Sequence, residues 1–467
     1  MGLDIENPFQ CVNRVVEYRR GVFDEVEEKH PNSIWLKVSL RNIKKVVIIN
    51  SSSRSGSSLL YSILKKIPGM YSLSAEGVPF YKLNGLSLGS FSSDEITQDT
   101  IIQTDAFSDL SRDFLSDISM PCRQDRILEN VALLEEYIDD LALRFPLQWP
   151  QISFSYEQFK NLAFKALESY KNRHKDFCKE EFYLELFSFL RKEYKEINPY
   201  YYDIPSWMVK ERFPELEIPS GPPNNILTIE EPPFIVLEPG IKASETDFFQ
   251  KTLILKSSVD SYRMEFLESF FPEAEIKIIY LVRNPLGCIN GLCDGWLHRG
   301  FFSYNLRFSL SQGIALPKML KICGYSEQNE WGKWWWNYDL PPGWQDYIEN
   351  PLEEVCAFQW YSSNKAIQKY LGNQTKRHCF IRYENIIKGL GARRQEIEKI
   401  VDFIGASTGC IGQLELDRLP VIQATDQPRP FRWKKRQDQL LPLLEKSQIR
   451  EMSVQLGYDK IKTGEWF

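Results

Sequence analysis

Hydrophobic positions along the chain follow two patterns. The first is the short unbroken apolar run: Val46-Val47-Ile48-Ile49, Thr252-Leu253-Ile254-Leu255, Ile276 to Val282, and the segment His378 to Tyr383. Such runs, without polar alternation, mark strands buried on both faces, as in a parallel sheet. The second pattern has helical spacing. Val131, Leu134, Ile138 and Leu141 form one stripe. Phe159, Leu162, Ala163, Ala166, Leu167 and Tyr170 form a second, and Phe182, Leu186, Phe189 and Leu190 a third. Residues 1–40 read as a helical lead-in to a first core strand at 44–50. Another helix is predicted over 351–371, with Asn350 as N-cap, Pro351 at the first helical position and Gly372 beyond its end. Apolar runs followed by helical patterns predict an α/β fold class, a doubly wound parallel sheet.

The runs are unevenly spaced. Roughly 200 residues lie between the first strand and Lys256, where a crossover needs only about a dozen or more. Residues 85–250 therefore read as a large helical insertion, an inserted subdomain ending in the Pro-rich stretch Pro219 to Pro233, which is expected to be loop. No internal repeat or low-complexity tract interrupts the 467 residues, which read as one domain.

Composition narrows the class. With 43 % hydrophobic and 13 % aromatic residues the chain is globular. Its net charge of −6 gives no general attraction for nucleic acid, so any basic anion site must be local. Nine cysteines without CxxC spacing read as reduced thiols, and Met1 to Arg20 is charged and lacks an apolar core. No run approaches the length of a membrane span. The expectation is a cytoplasmic protein with no signal peptide, no membrane span, no metal and no nucleic-acid partner.

The first strand breaks into Asn50-Ser51-Ser52-Ser53-Arg54-Ser55-Gly56-Ser57-Ser58, after which helical spacing resumes at Leu59-Leu60. A strand, a loop of small residues and a helix start aim backbone N–H groups and a helix dipole at one point, where phosphate or sulfate can bind. A Walker A loop would need Lys after the glycine, and Gly56 is followed by Ser57. The cation is Arg54. Lys256 and Arg283 also close strands, so all three fall at the carboxyl ends of a parallel sheet, where ligands sit.

The Arg54-Ser55-Gly56-Ser57-Ser58 segment resembles the 5′-phosphosulfate loop of sulfotransferases that use 3′-phosphoadenosine 5′-phosphosulfate (PAPS), in its bacterial and tyrosylprotein-type form. The resemblance covers roughly residues 44–83, 250–300 and 350–460. It implies a P-loop-like phosphosulfate loop in which Ser53, Arg54, Ser55, Gly56, Ser57 and Ser58 hold the 5′ end of PAPS. Arg283, opening Arg283-Asn284-Pro285, resembles the family's 3′-phosphate arginine. The family's serine eight residues on is here Gly291, so either Asn290 or a backbone N–H is expected to substitute, or the clamp is weaker. Lys256 resembles the lysine beside the transferring group, and Phe380 to Asn385 a block that closes the core and has no chemistry. Thr425, Arg432, Lys434 and Lys435 lie where a basic loop folds over the nucleotide in the family. By the same resemblance, 44–83 is the 5′-phosphosulfate region, 251–300 the 3′-phosphate region, 301–348 an aromatic-rich acceptor-side insertion, and 349–467 the closing helices and nucleotide-covering loop.

In-line sulfuryl transfer needs a base for the acceptor hydroxyl. Of the four histidines, His30, His174, His298 and His378, none falls where the family's catalytic histidine does outside the insertion. Glu76, in Leu73-Ser74-Ala75-Glu76-Gly77, stands where tyrosylprotein-type and several bacterial members place a carboxylate, with His298 next in line. Trp331, Trp334, Trp335, Trp336, Tyr338 and Trp344 read as core or interface, with an acceptor pocket as the alternative. The implied activity is transfer of a sulfuryl group from PAPS, leaving adenosine 3′,5′-bisphosphate (PAP), to a hydroxyl of a small or lipid-like molecule. The lack of an anchor and the unusual insert point to a bacterial natural-product step of the cyanobacterial toxin type. The alternatives are a P-loop kinase, disfavoured by the missing Gly-Lys-Ser/Thr, and a non-catalytic nucleotide-binding module.

Overall fold

The computed structural model describes residues 8–29, 38–86, 93–96, 104–122, 127–298, 300–307, 319–372 and 377–458. Its strands are β1 (Lys45–Asn50), β2 (Met70–Ser72), β3 (Ser119–Pro121), β4 (Gly240–Lys242), β5 (Thr252–Lys256), β6 (Glu275–Val282), β7 (Tyr304–Asn305), β8 (Trp335–Trp336) and β9 (His378–Arg382). Seven of these form one sheet in the order β4-β3-β2-β5-β1-β6-β9, and β7 and β8 pair separately. From β2 to β9 every neighbouring pair is parallel, with Val46 opposite both Leu253 and Ile276.

The unbroken apolar runs are explained by which way their side chains point. Val46, Ile48, Leu253, Leu255, Ile278 and Tyr280 enter one core, while Val47, Ile49, Ile254, Ile279 and Leu281 enter another on the opposite face. Both faces are covered, so no position in β1 after Lys45 is left for a polar side chain until Asn50. The chain leaves the central β1 toward β2 on one side and reaches β6 on the other. That reversal opens a crevice beyond the carboxyl ends of β1, β5 and β6.

Residues 85–250 supply the helices Val131–Gln148, Tyr156–Lys171 and Lys179–Leu190, as their spacing predicts. They also supply β3 and β4, which extend the sheet antiparallel at one edge. Each of these strands has three residues and a single large apolar side chain, Met120 or Ile241, too little for a period to show. The three helices share an aromatic core that includes Phe145, Phe159, Tyr183 and Phe187. The amino-terminal helix Pro8–Lys29 ties this core to the sheet: Cys11, Val12 and Val15 pack in the sheet core, and Val22, Phe23 and Val26 in the aromatic one.

The late helix spans Leu352–Leu371, with Pro351 rather than Asn350 in the N-cap position and Gly372 closing it at φ 44°. The shift has a local cause. The Leu352 N–H donates to Cys323 O, which holds Pro351 extended, while the Asn350 amide turns to Glu354 at 2.9 Å. The tryptophans take the core role. Trp336 and Trp344 are buried in the sheet core and Trp335 in the aromatic one, and none of them lines the crevice.

Candidate active site

Beyond β1 the backbone turns through two left-handed residues, Arg54 (φ 65°) and Gly56 (φ 94°), and enters the helix Ser57–Leu64. Gly56 is required twice over. Its φ suits glycine, and a Cβ there would lie 2.3 Å from the Tyr383 ring. The first N–H groups of that helix have no intrahelical acceptor and face the crevice with Arg54, Ser57 and Ser58. The loop is pinned beneath by Ser52 Oγ against Ser55 Oγ (2.7 Å) and by Ser53 Oγ, which donates to Asp339 Oδ1 (3.2 Å). Asp339 also accepts from Tyr262 Oη (2.7 Å) and Ser363 Oγ (3.2 Å), and burial pushes its carboxyl up to about 7. The Trp-rich turn places it there: Trp336 Nε1 and Gln359 Nε2 both donate to the Asp339 carbonyl.

The crevice is a cavity of about 540 Å³, within the usual size of a small-ligand site. Of the expected residues, Ser53, Arg54, Gly56, Ser57, Ser58, Glu76, Lys256, Arg283 and Arg432 line it. Two elements far apart in sequence bring the proposed base and cation together. Glu76 follows β2, Lys256 ends β5, and Lys256 Nζ donates to Glu76 Oε1. Lys256 is almost fully buried while the Glu76 side chain stays 32 % exposed, so the carboxylate is the more accessible partner.

Arg283, at the end of β6, donates from Nη1 to Arg54 O (2.9 Å) and stacks over Tyr383 at 4.7 Å. Asn284 behind it is held by Glu384, whose Oε1 accepts from the Asn284 N–H and side-chain amide. Gly291 acquires a reason here: a Cβ at that position would press on Arg54 Cβ at 3.2 Å, with Arg283 Nη1 at 3.7 Å. A glycine at this helix position lets the two arginines come together.

Six expected residues lie off the cavity lining: Ser55, Asn290, Gly291, Thr425, Lys434 and Lys435. Ser55 is turned down toward Ser52 and Cys288. Asn290 accepts from Arg436 (2.7 Å) and donates to Asp294 (3.2 Å), so its amide is spent on that cluster. Lys435 is drawn to Asp294 (2.6 Å), and Lys434 lies over the Phe431 ring. Burial would raise the Asp294 carboxyl, but Lys435 and Arg436 hold it below the usual range. Arg432 also binds Asp294 (2.7 Å) yet keeps its place on the cavity. His298, the second candidate base, is off the lining too, and its Nδ1 accepts the Gly300 N–H.

Sequence reasoning missed several residues that shape the site. Gln423, with φ 47°, closes residues 419–432 over the loop. Its carbonyl accepts from Arg54 Nη1 (3.0 Å), and its Oε1 from Ser58 Oγ (3.0 Å). Tyr383, Lys82 and Glu231 line the cavity as well. Tyr338, read from the sequence as core or acceptor pocket, lines it too. Tyr383 sits in the block read as closing the core, and Lys82 and Glu231 stand in no motif.

The donor set fits a phosphosulfate nucleotide. Arg283 Nε and Arg432 Nε are buried without a hydrogen-bond partner in this structure, on a cavity whose loop end carries Arg54, Arg283, Arg429 and Arg432 against Asp426. Among the described residues no group of three or more His, Cys, Asp or Glu could hold a metal ion, and no helix is long and apolar enough to cross a membrane.

No family model and no curated protein matches the chain. Three solved structures that do match are sulfotransferases. The sulfotransferase domain from the curacin biosynthetic pathway matches at 14 % identity and a TM-score of 0.37, covering 89 % of this chain and 99 % of that one. The sulfotransferase domain of the Synechococcus PCC 7002 olefin synthase matches at 16 % identity and a TM-score of 0.33, covering 90 % and 96 %. A sulfotransferase from Mycobacterium avium matches at 12 % identity and a TM-score of 0.34, covering 94 % and 83 %.

Proposed function

We propose that the chain is a PAPS-dependent sulfotransferase that acts on a hydroxyl of a small molecule. The observation that carries this reading is the meeting, in one cavity, of a phosphate-type loop with Arg54, the Glu76–Lys256 pair and Arg283, each at the end of a different parallel strand. PAPS supplies a sulfuryl group activated by its phosphate ester. The loop N–H groups, Ser57, Ser58 and Arg54 hold the 5′ end, and Arg283 with Arg432 holds the 3′-phosphate. Glu76 takes the proton from the acceptor hydroxyl as the new S–O bond forms and the bond to the phosphate oxygen breaks. Lys256 positions that carboxylate through its hydrogen bond, and Arg54 and Lys256 offset the negative charge that gathers during transfer.

Ligand-dependent melting tests this. PAP at about 100-fold over its dissociation constant should add roughly 2.7 kcal/mol of stability. AMP, and ATP without Mg²⁺, should add far less, because neither carries a 3′-phosphate. Arg283→Ala should weaken PAP binding by about tenfold or more, roughly 1.4 kcal/mol, and leave the fold intact. No stabilisation by millimolar PAP would end the reading, and stabilisation by ATP with Mg²⁺ alone would favour a kinase.

A further inference from the structure

Beside the four arginines described above, the cavity lining holds a second group of charges: Glu76 and Glu231, Lys82 and Lys256, and the buried pair Arg144–Glu230. The charges there balance on paper, but they are not equally placed. Lys256 is nearly buried. Lys82 is 3 % exposed, with Nζ given to the backbone carbonyls of Thr228 (3.0 Å) and Ser303 (3.3 Å). Arg144, 2 % exposed, is already flanked by Glu230 and, at 3.5 Å, by Asp117. All of these residues line the cavity, and Glu76 and Glu231 are the half-buried ones among them.

Glu231 precedes Pro232 and Pro233 and accepts from Ser303 Oγ. Burial raises its carboxyl, the Glu76 and Asp94 charges raise it further, and Ser303 and Lys82 oppose this. An ammonium group brought against it would relieve that cost, whereas a second anion would add to it. Arg144 points the same way. Its Nη2 has no hydrogen-bond partner, but with two carboxylates at hand it suits a neutral oxygen better than another anion. The lining also holds the apolar side chains of Val78, Pro79, Ile229 and Ile235.

Building on the sulfotransferase reading, we propose that Glu231 is a specificity-determining residue and that the acceptor is an alcohol with an apolar body and an ammonium group, its hydroxyl at Glu76 and its cation at Glu231.

A chain-matched series tests this on the PAP-bound protein: aminohexanol, hexanol and hydroxyhexanoate, with binding followed by titration calorimetry. Aminohexanol should bind about tenfold or more tighter than hydroxyhexanoate, with hexanol between them. In Glu231→Gln the ratio should fall to roughly threefold or less while PAP affinity is unchanged. Equal binding of the three, binding of none, or a ratio untouched by Glu231→Gln would each overturn the assignment. The wild-type ratio stands even if the variant does not fold. Loss of PAP binding by the wild-type protein would instead strike the sulfotransferase reading itself, and this assignment with it.

Discussion

At the scale of single residues the proposed chemistry turns on Glu76. The carboxylate is positioned by Lys256 from a neighbouring strand and remains open to the cavity. Glu76→Gln preserves the size and a hydrogen-bonding oxygen but cannot accept a proton. The turnover rate constant with PAPS and a hydroxyl acceptor should fall about 10²- to 10⁴-fold, with PAP affinity retained. A variant keeping more than about a tenth of the wild-type rate would remove Glu76 from that role. The residues legible in the sequence were those with a local signature: Arg54 and Gly56 in a loop between strand and helix, Lys256 and Arg283 at the ends of apolar runs. Glu231, Gln423 and Asp339 had none. Each gains its place through a partner more than 70 residues away, as Glu231 does through Ser303, and nothing in local spacing reports such a pairing.

At the scale of elements, the apolar runs made the parallel strands legible because burial on both faces leaves an unbroken signature. β3 and β4 were not legible, being three residues long. In the basic stretch 432–436, Asp294, on the helix after β6, pairs with Lys435 and Arg436, while Arg432 keeps a place on the cavity. The Trp-rich turn matters through what it carries, the Asp339 carboxyl beneath the loop. Because burial raises this group to about 7, the folded state holds its proton more tightly than the unfolded chain, where the value is about 3.9. The stability from this group is therefore complete below about pH 4 and is lost as the pH rises through 7. Asp339→Asn does not titrate. The stability of the wild type relative to Asp339→Asn should decline between pH 5 and 7, by at most about 1.4 kcal/mol per unit, as read from urea midpoints. A pH-independent difference would show that Asp339 is not held in this way.

At the scale of the molecule, the sheet and the aromatic helical core are joined through the helix Pro8–Lys29. Its buried Arg19 pairs with Asp113 at 2.7 Å, and Phe23 lies under Arg19 and Arg112, 5.4 and 4.8 Å from its ring. Phe23→Ala should cost about 3–5 kcal/mol of stability, measured by denaturant unfolding, without changing PAP affinity in the protein that remains folded. A loss below about 1 kcal/mol would mean that the helix merely rests on the two cores. The contact between Arg54 and Gln423 has a further consequence, in time. The two residues are 369 positions apart. At about 5–20 residues per second of synthesis, the loop is made roughly 20–70 seconds before the segment that closes it. β1 waits likewise for β5 and β6. Throughout that interval an apolar strand and a cation-bearing loop must remain uncommitted on the nascent chain, so this protein's central strand is made well before the neighbours it pairs with.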